Sequence, residues 1–320
     1  MKKKFLIIIF NILFLIAILT ISEFVVYKEE AKKLCNTNNP NVTIPHFSHK
    51  ALFPSYMKNL KSHFKGGENF YYGRLPDGIE YKIEKPIILF GGSYAYGQYL
   101  NTHQTLSYKL AHSLKRPVYN RGIVGGGFQH MYFQVTSNSL YETIPESDTI
   151  IYVMIHDHLR RMFWNYFKVL DHHVLPHYNI KNNKLVIDDY NNKFTTFINS
   201  LYTVKTLNHI ITDKYVYNEK NSEKITDMAL LYFIESRKEL EKKLNKKIKF
   251  YIIFYKDCEI LYEDTLKEKL KKNGFFVTST NELTDEDLAS EKYLMQDNHH
   301  PTEAAWDLLT PKIIEKFGLK

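Results

Sequence analysis

Apolar runs and amphipathic stretches alternate along most of the chain. Residues 86–90, Pro-Ile-Ile-Leu-Phe, form a nearly continuous apolar run between a proline and the Gly91-Gly92 pair. That is the pattern of a strand buried on both faces. Short apolar runs at 117–120, 149–155, 247–255 and 275–279 predict further strands. Between them, amphipathic spacing predicts helices over 105–114, 127–137, 223–244 and 259–272, and a last one from Thr302 onward. Alternation of this kind predicts an α/β domain: a three-layer α/β/α sandwich on a mostly parallel five-stranded sheet.

The alternation stops between His156 and about Asn221, a polar, aromatic stretch expected to be irregular and longer than an ordinary connection. It contains Met162-Phe-Trp-Asn-Tyr-Phe167 and the His172-His173 pair, and a hairpin is predicted around Asn182-Asn183. Such an insertion either overhangs the crevice at the strand ends and sets specificity, or covers an exposed sheet edge. Residues 28–84 read as a stalk and a segment packing on the main domain, which spans 85–320. The chain opens Met1-Lys-Lys-Lys4 and is apolar from Phe5 to Ile21 except for Asn11 and Thr20. With its continuation through Tyr27, this run is long enough for an N-terminal transmembrane helix, and residues 1–27 are expected to anchor the chain in the bilayer. The three lysines favour a cytoplasmic N-terminus and place the rest on the periplasmic or extracellular side. A cleaved signal peptide shares the basic start, but no Ala-x-Ala-like site follows.

With 320 residues, 44% hydrophobic and 24% charged, the chain can fill a sizeable core and is not of disordered composition. The net charge of +8 does not point to nucleic acid, because Lys and Arg are scattered through helices and turns and no nucleic-acid-binding motif accompanies them. A diffuse positive surface suits anionic headgroups or an acidic polymer better. The 24 Tyr and 21 Phe fit a sugar-binding cleft or an ordinary core equally well. Cys35 and Cys258 could form one disulfide or remain two free thiols.

Candidate chemistry gathers at two places. Ser93 falls at the end of the first strand, where α/β sheets collect reacting groups, and free N–H groups at a helix start can hold a developing oxyanion. The plain alternative is a helix-capping serine. Two hundred residues on, Asp297-Asn-His-His-Pro301 spaces Asp297 and His300 three apart, so one turn of chain can set the carboxylate on the imidazole. A serine nucleophile needs such a base and such an orienting acid. Ala95 stands where the α/β-hydrolase elbow requires glycine, so that pattern is excluded. A metal set drawn from His156, Asp157, His158, His172, His173, His177, Asp297, His299 and His300 competes, but none of the pairs has helical zinc-site spacing. No metal and no cofactor is expected.

Together these stretches resemble the SGNH (GDSL-like) hydrolase family over roughly residues 85–320. Phe90-Gly-Gly-Ser-Tyr-Ala-Tyr-Gly97 is similar to its first block, with Gly92 in place of the usual Asp. Val118-Tyr-Asn-Arg-Gly-Ile-Val-Gly-Gly-Gly127 is similar to the strand and Asn-x-Gly-x-x-Gly of the second, and Asp297 to Pro301 matches the last. The third block departs: His156 stands about where the family has its oxyanion Asn. The resemblance implies a flavodoxin-like sheet and acyl transfer through a covalent acyl-enzyme. It implies Ser93 as nucleophile, His300 as base and Asp297 as its orienter. The oxyanion donors would be Ser93, Gly125 and His156, with Asn120, Arg160 and Trp164 expected around the substrate. Arg160 and Arg161 could instead pair with local carboxylates. For an outward-facing, membrane-tethered member, the implied substrate is an acylated carbohydrate, with O-acetyl groups removed from or added to surface or cell-wall polysaccharide. A catalytically degenerate glycan-binding domain and a metal-dependent hydrolase are the alternatives.

Overall fold

The computed structural model describes residues 85–136, 147–163, 178–182, 184–187, 210–256, 262–297 and 299–319. The expected membrane anchor and stalk, Cys35, Cys258, Trp164 and the histidines at 172, 173 and 177 lie outside the described residues. In chain order the elements are β1 (Ile87–Gly91), α1 (Ser93–Tyr96), α2 (Leu106–Leu114), β2 (Val118–Asn120), α3 (Phe128–Thr136), β3 (Thr149–Met154) and α4 (Asp157–Arg161). There follow β4 (Tyr178–Lys181), β5 (Lys184–Ile187), α5 (Ser222–Leu244), β6 (Lys249–Phe254), α6 (Glu263–Lys272), β7 (Phe276–Ser279), α7 (Thr280–Leu283) and α8 (Glu303–Phe317).

Five strands form one sheet in the order β2-β1-β3-β6-β7, every neighbouring pair parallel. This is the doubly wound order in which the chain reverses direction across β1 and β3, opening a crevice at the strands' carboxyl ends. The pleat divides the side chains between two cores. Ile88, Phe90, Ile150, Tyr152, Met154, Phe250, Ile252 and Phe254 pack under α3, α5 and α6 through Phe128, Tyr232, Phe233 and Leu266. Ile87, Leu89, Ile151, Val153, Tyr251 and Ile253 face α2 and α8 through Leu106, Leu110, Trp306 and Leu309. The expected sandwich and its five parallel strands are thus present.

The stretch after β3 differs from expectation. Instead of turning irregular at His156, the chain forms α4 at once, because Asp157 in its first turn pairs with Arg160 (2.5 Å) and Arg161 (2.8 Å) one turn along. The predicted hairpin is present as the antiparallel pair β4–β5, with Asn182 carrying the positive φ of its turn. Tyr178 packs edge-on against Tyr132 of α3 and Tyr232 of α5, so this part of the insertion sits on the helical layer.

At the chain's end, Trp306 is fully buried and meets Tyr255 at 5.3 Å between ring centroids. It fixes α8, and with it the loop that precedes α8, onto the sheet. Trp306→Ala is expected to cost about 3–5 kcal/mol in urea unfolding; a loss under about 1 kcal/mol would show that this side chain is not a core anchor.

Candidate active site

The turn that carries Ser93 is built around two glycines. Gly91 has φ +149°, and a Cβ there would stand 2.7 Å from both Ala95 Cβ and the Val153 carbonyl oxygen. At Gly92 a Cβ would meet His158 Nε2 at 2.7 Å, with an Arg161 guanidinium nitrogen and the Gly126 oxygen each at 3.2 Å. Neither position has room for a larger residue without displacing its neighbours. Ser93 follows as the first residue of α1, nearly buried. The capping position belongs to Gly92, so the serine is not there to cap the helix.

Asp297 and His300 lie on the loop before α8. That loop is closed by Met295 N–H to the His300 oxygen (2.7 Å) and Thr302 N–H to the Tyr293 oxygen (2.9 Å). One oxygen of Asp297 accepts from the backbone N–H of His299 (3.1 Å) and of His300 (3.0 Å), while the other is hydrogen-bonded to His300 Nδ1. Burial pushes the Asp297 carboxyl up, but the bonds from the His300 ring and backbone outweigh it and hold its pKa down to about 2. With Nδ1 donating to the carboxylate, Nε2 of neutral His300 is the free base position, and this atom is buried without a partner among the described residues. The Tyr94 hydroxyl donates to the His299 carbonyl, and its ring lies 5.2 Å from that of His300. Folding therefore brings the Asp-His loop against the residue next to Ser93.

The turn carrying Gly125 (φ +71°) is drawn to the same place. Ile123 N–H donates to the Gly91 oxygen at 3.1 Å, and the Arg161 guanidinium donates to the Gly126 oxygen. Asn120 takes a different role from the substrate contact expected of it. It is fully buried, its Nδ2 donating to the Ala95 oxygen (2.7 Å) and Ser107 Oγ (3.0 Å) and its Oδ1 accepting from Gly122 N–H (3.0 Å). These bonds hold α1 and the turn that begins at Gly122 together. Arg160 pairs with Asp157 at 2.5 Å and Asp213 at 3.4 Å, the carboxylate pairing given as the alternative to a substrate contact. Burial raises the Asp157 carboxyl, and the charges of Arg161 and Arg160 overcome that and hold it well below the usual range. His156 sits half-buried just before α4, in the capping position without a capping bond.

The histidine that reaches the Gly91-Gly92 turn is His158, which sequence analysis weighed only as a metal ligand. It is fully buried, its Nδ1 is 2.9 Å from the Tyr152 hydroxyl, and its Nε2 has no partner among the described residues. If Tyr152 donates to Nδ1, only the Nε2 hydrogen is left unsatisfied; the opposite tautomer strands both the phenol hydrogen and the Nε2 lone pair. Burial and the neighbouring Arg161 charge hold this imidazole well below its ordinary pKa, and hence neutral. The only sequence signal for this arrangement was the Asp157–Arg161 spacing of four. Among the described residues no three His, Cys, Asp or Glu side chains are grouped to hold a metal ion.

Two outcomes follow from this geometry. Gly92→Ala is expected to destabilise the domain by about 1–3 kcal/mol in urea unfolding, because the buried His158 ring has nowhere to go; an unaffected midpoint would contradict the packing. For Asp297 the sign is that of a depressed carboxylate. Its contribution to stability is fully present above the ordinary value of 3.8 and is lost as pH falls through about 2. Urea midpoints of wild type should therefore drop between pH 4 and pH 2 by more than those of Asp297→Asn, and parallel curves would refute the coupling.

No family model and no curated protein matches the sequence. Solved structures do. The chain is similar to the lipase Lip_vut3 from goat rumen metagenome, at 9% identity and a TM-score of 0.45 over 73% of this chain and 97% of that one. It is similar to a member of the lipolytic protein G-D-S-L family from Veillonella parvula DSM 2008, at 13% identity and a TM-score of 0.42 over 74% and 100% of the two chains. AlinE4, an SGNH-hydrolase family esterase, matches at 12% identity and a TM-score of 0.37 over 74% and 97%. Two of these three structures are described as a G-D-S-L family lipolytic protein and an SGNH-hydrolase family esterase.

Proposed function

We propose that the protein is a serine esterase-type acyl-transfer enzyme of SGNH type. The observation that carries this reading is the state of His300. Its Nδ1 is held by Asp297, its Nε2 is buried and unpartnered, and its ring packs on the residue after Ser93. In this reading Nε2 takes the Ser93 hydroxyl proton as Oγ attacks the ester carbonyl. The tetrahedral oxyanion is met by the N–H groups of Ser93 and Gly125, with His156 as third donor. The alcohol leaves with the proton returned by His300, and water or a second alcohol resolves the acyl-enzyme on Ser93. The apolar stretch at residues 5–21 supports a membrane-tethered enzyme facing outward. That location favours O-acetyl groups of surface or cell-wall polysaccharide as the acyl groups removed or transferred. No cofactor is required by the scheme.

Ser93→Ala in the full chain is expected to lower turnover of p-nitrophenyl acetate about a thousandfold or more. A chelator should leave the wild type unaffected. Undiminished turnover in Ser93→Ala, or loss on chelation, would end this reading. An acetylated glycan that binds tightly without turnover would favour the non-catalytic alternative.

A further inference from the structure

Every neighbouring pair in the five-stranded sheet is parallel, so the amino ends of all five strands share one edge, about 19 Å wide across the strands. The strand starts are tied together there: Ile87 N–H donates to the Pro117 oxygen and Lys249 N–H to the Asp148 oxygen, each at 2.8 Å. This edge is basic. Lys85 precedes β1, Lys115 precedes β2, Lys247 and Lys249 enter β6, and Lys272 precedes β7, while Lys242 lies in the last turn of α5, which runs into β6. All six are exposed, with the Lys247 and Lys272 side chains 95% and 75% open to water. The carboxylates described beside them offset little of this charge. Asp148 is taken by Arg116 at 2.9 Å, and Glu241 accepts from Ile248 N–H at 3.2 Å and only reaches Lys247 at 3.5 Å. Glu268 and Lys272 form an exposed pair at 3.5 Å, of the kind that contributes little. Helix dipoles favour lysine in a last turn, which accounts for Lys242 and Lys272. They do not account for Lys85, Lys115, Lys247 and Lys249, which lie beyond the helix ends.

The other end of the sheet has the opposite sign. Asp285, Glu286, Asp287 and Glu291 are exposed on the segment between β7 and α8, the one that carries Asp297 and His300, and Lys292 is its single lysine. A negatively charged surface therefore attracts the amino edge and repels the carboxyl end. We propose that the basic edge is a docking surface for an anionic lipid bilayer, its lysines on the headgroups and the Ser93–His300 end pointing away from the membrane. A bilayer is favoured over a soluble polyanion because the part of the chain with the apolar run at residues 5–21 joins the domain at this edge, through Lys85 and β1. Each lysine close to an anionic surface adds to the attraction, and salt screens it over about 10 Å at 0.1 M. The docking stands on charge and topology and holds whether or not Ser93 is a nucleophile. A membrane anchor in residues 1–27 supplies a tether, and the basic edge supplies the orientation.

The test places the full chain in nanodiscs of phosphatidylcholine alone or with about 30% phosphatidylglycerol. Acetylation by a water-soluble succinimidyl ester is then followed lysine by lysine with mass spectrometry. In the phosphatidylglycerol discs Lys115, Lys247, Lys249 and Lys272 are expected to react about fivefold more slowly than in phosphatidylcholine, with Lys292 unchanged. Sodium chloride at about 0.5 M should remove the difference. The triple variant Lys115→Gln, Lys247→Gln, Lys249→Gln changes only exposed side chains, so its urea midpoint and its turnover of p-nitrophenyl acetate should match wild type while Lys242 and Lys272 lose their protection. Equal rates in the two lipids, or protection of Lys292 in place of the edge, would overturn the proposal. Stronger protection by soluble polyglutamate than by phosphatidylglycerol would assign the edge to an acidic polymer and overturn it too. If the chain does not enter phosphatidylcholine discs, the anchor fails and flotation with vesicles of the same two compositions decides the docking. Salt-sensitive flotation with phosphatidylglycerol vesicles upholds it, and no flotation removes it.

Discussion

An imidazole becomes a directed base only when one of its nitrogens is held, and Asp297 holds Nδ1 of His300 while accepting from two backbone N–H groups. The bond to the His300 ring, together with those backbone bonds, holds the Asp297 carboxyl down despite its partial burial, and the charge keeps the ring in one tautomer. The loop that supplies Asp297 and His300 is in turn held by the first turn of α8 and by its bonds to Tyr293 and Met295. His300 is thus positioned from the rigid body of the fold.

The turn that carries Ser93 is positioned by an opposite device, the exclusion of side chains. Gly91 and Gly92 let two neighbouring layers close onto the backbone: Ala95 and Val153 on one, His158 and Arg161 on the other. The family pattern has an acidic residue at the place of Gly92, and here the volume it would need is filled from α4. Arg161, in a buried ion pair with Asp157, then reaches across to the Gly126 oxygen, tying α4 to the glycine turn that follows β2. Such a pair adds little net stability once its desolvation is counted, and fixing geometry is the better account of it.

Most of the architecture was legible beforehand, because strands buried on both faces leave uninterrupted apolar runs and helices leave a 3.6-residue period. The parallel sheet, the hairpin at Asn182 and the start of α8 near Thr302 all fall close to their expected places. Asn120 is a polar residue at a strand end that looks available for a ligand, but in the fold its side chain is bonded to Ala95 and Ser107, neighbours that no short window of sequence shows. For Arg160 the pairing given as the alternative is present, to Asp157 three residues away and to Asp213. The irregular reading of residues 157–161 failed because five residues are too few to show a helical period, while the ion pairs that stabilise α4 act at that short range.

Taken alone, the order of residues determined which side chains were chemically equipped to act: a serine after a buried strand, and an acid and a histidine one turn apart near the end. Spacing is local, and those motifs are local. Which histidine would lie against the glycine turn, and which tyrosines would lie against His300, were decided only when β1, β3 and α8 packed together. Proximity between residues 92 and 158, or 99 and 300, is a property of the assembled sheet and leaves no mark in any short window of sequence.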